Sequence, residues 1–180
     1  MALSSTPYKF SVALSNTDAH VYTELKFVIA RHPSETEDRM ITRLIAYLFW
    51  YHEHLEFGRG LSDTGEAALW EVALDGQVEH WIDVGLPDAE RMTKASRKGQ
   101  RYSVLVYGNR RIWVEKVLPK VVSADMQIFA VPDDTLAQIK ALLSRNMKLD
   151  LTIADGTFYL SILDSNSENQ SIVFQLITLI

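Results

Sequence analysis

The 180-residue sequence contains no cysteine. That excludes disulfides, thiolate zinc sites and cysteine nucleophiles. Long apolar runs are also absent. The stretch Ile45-Ala-Tyr-Leu-Phe-Trp-Tyr51 is among the longest, and it is far too short to cross a bilayer. The start of the chain shows no basic segment followed by an apolar one, only Ser4, Ser5 and Thr6 before Tyr8, so no secretory signal is read there. These absences lead us to expect a soluble cytoplasmic protein with no membrane segment. Positive charge is in deficit too: a formal net charge of −5 argues against a sequence-nonspecific nucleic-acid coat protein. It leaves room for a local basic stripe beside an acidic site. No Gly-rich phosphate loop and no serine nucleophile elbow occurs. The five histidines, at 20, 32, 52, 54 and 80, form no metal-binding spacing.

What is present is an ordinary globular composition, 47% hydrophobic, in a length suited to one domain spanning residues 1–180. Tyr8, Phe10, Val12 and Leu14 alternate with Lys9, Ser11, Ala13 and Ser15, the period of a half-buried strand. A second strand from about His20 to Arg31 follows a turn at Asn16-Thr-Asp18 and completes a hairpin. Ser34 and Glu37 have capping-box spacing and open a predicted helix to about Leu55. A loop from Gly58 to Gly65 leads to two strands, about Leu69 to Leu74 and Val78 to Val84, joined at Asp75-Gly76. Pro87-Asp88 starts a helix reaching about Lys98. The apolar run ending at Tyr107 reads as a central strand. A helical segment near Arg110 to Leu118, a strand near Met126 to Val131 and a helix from Asp133 to Leu143 follow. Three closing strands are predicted near Lys148 to Ile153, Phe158 to Ile162 and Ile172 to Leu179, with a turn at Asp155-Gly156. The fold class is therefore mixed α/β: a central mixed sheet flanked by helices.

The chemistry-bearing candidates lie between Ser34 and Tyr107. Pairing Leu74 with Gln77 across the Asp-Gly turn sets Trp70 opposite Trp81 and Asp83 opposite Ala68. Glu66 then continues along the same face toward Asp83. Glu35, placed in the first helical turn with Arg39 four residues on, approaches as a third acid. Converging carboxylates suit a hard divalent cation such as Mg²⁺, and phosphodiester cleavage needs such an ion. Arg91, Lys94 and Lys98 share one helical face and suit a polyanionic substrate.

The segments His32-Pro-Ser-Glu-Thr-Glu-Asp-Arg-Met40, Phe57-Gly-Arg-Gly-Leu61 and Trp81-Ile-Asp-Val-Gly-Leu-Pro-Asp88, with Arg91 and Lys94, resemble the signature segments of the YaeQ family. The resemblance covers the whole chain. That family is similar in fold to the PD-(D/E)XK restriction-endonuclease-like nucleases, which implies a nuclease-like core with extra N- and C-terminal strands. It implies Glu35 as the acid of the first core helix and Asp83 as the acid of the (D/E)xK element. Glu66 is the preceding acid, with Glu71 and Asp75 competing for that place. Glu66 and Asp83 would hold Mg²⁺, Lys94 would assist, and Arg39, Arg59 and Arg91 would contact substrate phosphate. The sequence departs from the motif at Gly85, where lysine is expected; Lys94 would replace it from the following helix. Two functions follow as expectations: a Mg²⁺-dependent phosphodiesterase acting on nucleic acid, or a non-catalytic module binding protein or nucleic acid. A monomer is the default expectation.

Overall fold

The computed structural model describes residues 4–59, 65–121, 126–163 and 169–180. Its strands form two mixed sheets, flanked by four helices. The chain divides into two compact units, residues 1–41 with 132–176 and residues 42–131 with 177–180.

In the first unit, β1 (Thr6–Asn16) and β2 (Val21–Arg31) form the expected antiparallel hairpin. They extend a sheet ordered β10-β9-β8-β1-β2. Its other members are β8 (Asn146–Ala154), β9 (Thr157–Leu163) and β10 (Asn169–Gln175). β8 runs parallel to β1, and the rest of the sheet is antiparallel. One face carries Phe10, Val12, Leu14, Leu149, Leu151, Phe158 and Leu160, all buried. The other face carries the polar half of each alternation. The Asp155-Gly156 turn lies where the sequence placed it, with positive φ at both residues. The Asp18 carboxylate accepts hydrogen bonds from the backbone N–H of Asp155 (2.8 Å) and of Gly156 (2.9 Å), which hold its pKa below the usual carboxylate range. Helix α4 (Asp133–Ala141) buries Leu136 and Ile139.

The helix read from Ser34 to Leu55 is shorter: α1 runs Glu37–Phe49. Its cap is Thr36, whose hydroxyl accepts from the Arg39 N–H at 3.2 Å, so the Ser34–Glu37 capping box does not form. Glu35 consequently precedes the first turn. Leu55 belongs to a strand, β3 (Leu55–Phe57), and its apolar spacing in the helical pattern reflects burial in a sheet.

In the second unit, the sheet order is β11-β7-β6-β5-β4-β3. It comprises β4 (Leu69–Val72), β5 (Val78–Val84), β6 (Gly99–Val106), β7 (Met126–Ala130) and β11 (Ile177–Thr178). The last predicted strand therefore breaks after Gln175, and its end pairs with β7 instead of β9. β5, β6 and β7 are parallel, linked by α2 (Ala89–Ala95) and then α3 (Arg111–Lys116), as parallel neighbours require. β6 is central and buried from Tyr102 to Val106, in agreement with its apolar sequence. Trp81, Tyr102, Val104, Met92 and Trp113 pack into one core on the face of this sheet that α2 and α3 cover. Aromatic residues of and just after α1 occupy the opposite face: Tyr47 stacks on Phe57 at 4.6 Å, and Trp50 meets His80 edge-on at 5.9 Å.

The β4–β5 register matches the sequence reading at the Asp83 end. Trp70 pairs with Trp81, their rings 5.9 Å apart at 87°, and Ala68 N–H donates to Ile82 O at 3.0 Å. It differs at the turn. A bulge between Glu71 and Val72 shifts the pairing, so Ala73 meets Gln77 around a loop of Leu74, Asp75 and Gly76. Asp75 accepts from the Gln77 N–H at 3.0 Å, and Gly76 takes φ +85°. Asp75 is a turn residue.

Candidate functional site

Asp83 stands near the end of β5 on the α2 side, its side chain 3% exposed. It is engaged on all sides. Arg91 donates Nε to Oδ2 (3.0 Å) and Nη2 to Oδ1 (2.6 Å), a two-pronged charged contact. Tyr102 hydroxyl donates to Oδ2 at 3.0 Å and Trp81 Nε1 to Oδ1 at 3.2 Å. Local sequence explains the convergence. Trp81 and Asp83 alternate onto one face of β5, the parallel register sets Tyr102 beside Trp81, and Asp88 caps α2 by accepting from the Arg91 N–H at 2.8 Å. Arg91 is thereby fixed in the first turn, facing the strand end.

The electrostatics follow. Burial first, then the charge of Asp83, raises the Tyr102 phenol far above its ordinary value, so it is a neutral donor. Burial disfavours the Arg91 charge, but the bonds and charge of Asp83 outweigh it and the guanidinium pKa rises.

Glu66 joins this cluster through its backbone, since Arg91 Nη2 also donates to Glu66 O at 2.8 Å. Its carboxylate turns to Arg59, accepting from the Arg59 N–H at 2.9 Å and lying 3.5 Å from Arg59 Nε. The structure thus brings together Glu66, Asp83, Arg91 and, at the periphery, Arg59. Lys94 is engaged elsewhere, in an exposed pair with Glu90 at 2.5 Å that raises its pKa through hydrogen bond and charge. Glu35, in the first unit, is buried with Oε1 2.7 Å from Arg39 Nη1. Gly60 and Leu61 of the second quoted segment lie outside the described residues.

Gly85, the position at which the resemblance leads one to expect lysine, follows β5 at φ +102°, a conformation unfavourable to lysine, with its N–H donated to Leu105 O at 3.0 Å.

Beside the cluster an open groove of about 630 Å³ is lined by Glu66, Trp70, Gln77, Trp81, Arg97 and Lys98, among others. A second depression of about 490 Å³ shares Gly65, Trp81 and Lys98 with it and adds Asp88, Glu90, Arg91 and Lys94. The predicted basic stripe of Arg91, Lys94 and Lys98 therefore lines one surface, although Lys98 lies beyond the end of α2. Lys98 Nζ sits 4.9 Å over the Trp81 ring and 3.3 Å from Gly65 O. Arg97 and Lys98 have no acidic partner among the described residues.

A second carboxylate cluster, unforeseen in composition, occupies the opposite face of the sheet. Glu71, 4% exposed, lies 2.7 Å from His52 Nδ1 and 3.1 Å from Arg101 Nη2. His52 and His54, read as helical, follow the helix end and stand 5.6 Å apart as edge-to-face rings. His80, the strand partner of Glu71, bonds Ser103 Oγ at 2.8 Å. Burial, then the charge of Arg101, lowers the His80 pKa to about 4. Among the described residues, no group of three or more His, Asp or Glu is placed to hold a metal ion. No helix among them is long and apolar enough to cross a membrane.

The YaeQ protein family matches residues 1–171 of this chain. The uncharacterized YaeQ protein of Escherichia coli (strain K12) is 35% identical over 164 residues, 89% of this chain and 91% of that protein. That of Salmonella typhi is 34% identical over 178 residues, covering 97% and 98%. Among solved structures, the YaeQ protein from Pseudomonas syringae superposes with a TM-score of 0.90 at 47% identity, covering 98% of this chain and 96% of the other. The YaeQ protein from Xanthomonas axonopodis pv. citri gives 0.86 at 28% identity, covering 97% of each.

Proposed function

This chain belongs to the YaeQ family, and from that premise we propose that it is a nucleic-acid-binding module whose groove works without a resident metal. One observation carries the reading: the acid at the motif position, Asp83, already accepts four hydrogen bonds, two of them from Arg91. A carboxylate so saturated has no lone pair directed at a cation. The Glu66 carboxylate accepts one hydrogen bond, from the Arg59 N–H, and its other oxygen lies 3.5 Å from the exposed Arg59 Nε. In this arrangement Asp83 does not fit Mg²⁺ as a ligand.

The groove supplies the binding half of the proposal. Arg97 and Lys98 offer phosphate contacts, with Arg91 and Lys94 flanking, while Gln77 and Gln100 add neutral donors and acceptors. Trp70, half-buried at the groove wall, offers an aromatic surface to a base. Arg91 and Lys94 are paired to Asp83 and Glu90, and Glu66 and Asp88 also line the surface, so Arg97 and Lys98 are the two cations on which contact with a polyanion rests. The parallel β5-β6-β7 layer with its α2 crossover is, in this reading, the counterpart of the nuclease-like core.

The test is fluorescence anisotropy with labelled single-stranded and duplex oligonucleotides, with Mg²⁺ and with EDTA. Salt-sensitive binding that persists in EDTA is expected. In an Arg97→Ala/Lys98→Ala variant the slope of log affinity against log salt should fall by up to about two. Absence of binding to both oligonucleotides at low salt would remove the proposal.

A second reading keeps Mg²⁺-dependent phosphodiester cleavage, with Glu66 and Asp83 at the metal and Lys94 assisting. It draws support from Arg91 lining the second depression with its side chain 32% exposed, where a substrate phosphate can recruit it and release Asp83. Divalent-dependent cleavage lost in Glu66→Gln would favour this reading.

A further inference from the structure

The outward face of the five-stranded sheet carries an ordered charge pattern that the groove does not use. Strand register aligns its exposed residues into rows across the sheet. One row is acidic, with Glu24 on β2 and Asp150 on β8, joined by Ala13. The next is basic, with Lys26 and Lys148 on the same two strands, joined by Ser11. None of these four charges has an ion-pair partner among the described residues. Beyond the acidic row lie Tyr22 and Tyr159, 64% and 49% exposed. Beyond the basic row lie Val28, 52% exposed, and the exposed Lys9 of β1.

We infer that this face docks a second copy of the chain. A two-fold axis parallel to the rows, midway between the acidic and basic ones, preserves each strand's lateral place and exchanges the rows. It sets Asp150 of each copy over Lys148 of the other, and Glu24 over Lys26. It also lays Tyr22 over Val28 and Lys9 over the neutral Ser15, while the small side chains of Ser11 and Ala13 let the layers approach. An axis parallel to the strands would instead set β2 over β10 and match no charge. The pattern is self-complementary in the sense that a two-fold interface demands. Charges on an edge strand such as β2 also guard against edge pairing, but that does not account for Asp150 and Lys148 on the interior strand β8. Five strands and four rows cover roughly 600 Å² per copy, about 1,200 Å² in the pair, at the small end of specific interfaces. The dimer is therefore weak and concentration-dependent.

Sedimentation equilibrium over a wide concentration range tests this. The wild type should show a salt-sensitive monomer–dimer equilibrium. Lys148→Glu should raise the dissociation constant at least tenfold, more than Lys26→Glu, because sheet twist separates the edges of packed sheets before their centres. The fourfold swap Glu24→Lys, Lys26→Glu, Asp150→Lys and Lys148→Glu should restore dimerisation, an outcome that a merely structural role for these charges does not produce. A wild type that stays monomeric throughout would overturn the inference and leave the face to another partner. So would a dimer indifferent to Lys148→Glu whose thermal melt shows an intact fold.

Discussion

Two buried carboxylates on opposite faces of one sheet make an instructive pair. Asp83 and Glu71 have nearly the same exposure, and each is met by an arginine. Asp83 is locked from inside: Arg91 is half-buried, Tyr102 is a neutral buried donor, and Trp81 completes the shell. Glu71 is held from outside, by His52 and Arg101, whose side chains are 51% and 63% exposed. Equal burial of an acid thus says little about its setting. What differs is whether the counter-charge is itself screened by water.

Removing each arginine in turn separates the two settings most strongly. Arg91→Ala strands a buried charge on two neutral donors and should cost about 3–5 kcal/mol in urea unfolding. Arg101→Ala removes a solvent-screened partner and should cost about 1 kcal/mol or less. Equal losses would erase the distinction.

Acid offers the next largest effect, on the Glu71 side. His80 has a folded pKa of about 4, below an unfolded value of about 6.5. The unfolded chain therefore binds the extra proton, and stability falls as pH drops from about 6.5 toward 4. From about pH 7 to about pH 5 this amounts to about 2 kcal/mol. Denaturant melts of wild type and His80→Gln should differ by that much in their pH dependence. Parallel pH profiles would contradict the assignment to His80.

Gly85→Lys supplies the lysine that the nuclease resemblance leads one to expect but forces it to φ +102°. A loss of about 1–2 kcal/mol is expected, with no gain in divalent-cation affinity by calorimetry. Added Cβ volume is not the cause, because the nearest atom, Tyr107 Cε1, lies at 3.5 Å.

Much of the fold was legible where periodicity and turn chemistry agree. The β1–β2 hairpin, the Asp155-Gly156 turn, the Trp70–Trp81 pair and the Asp88 start of α2 were all readable from local spacing. Local spacing failed where burial imitated it: Leu55 continued a helical pattern by chance of being buried in β3. The five-stranded sheet depends on β1 pairing with β8 across more than a hundred residues, which no local pattern encodes. The same holds for the site. Asp83 and Arg91 were singled out as a metal acid and a phosphate contact, yet their mutual clamp required the α2 geometry. Tyr102 reached the site only through parallel register, and Glu71 met His52 only because α1 stops at Phe49.

Asp83, occupied by Arg91, is closed to a cation in the reading proposed above. Isothermal titration of the protein with Mg²⁺ and with Mn²⁺ is the decisive experiment. No saturable binding heat is expected for either ion. Saturable binding that disappears in Asp83→Asn or in Glu66→Gln would contradict that reading and return these acids to a metal centre.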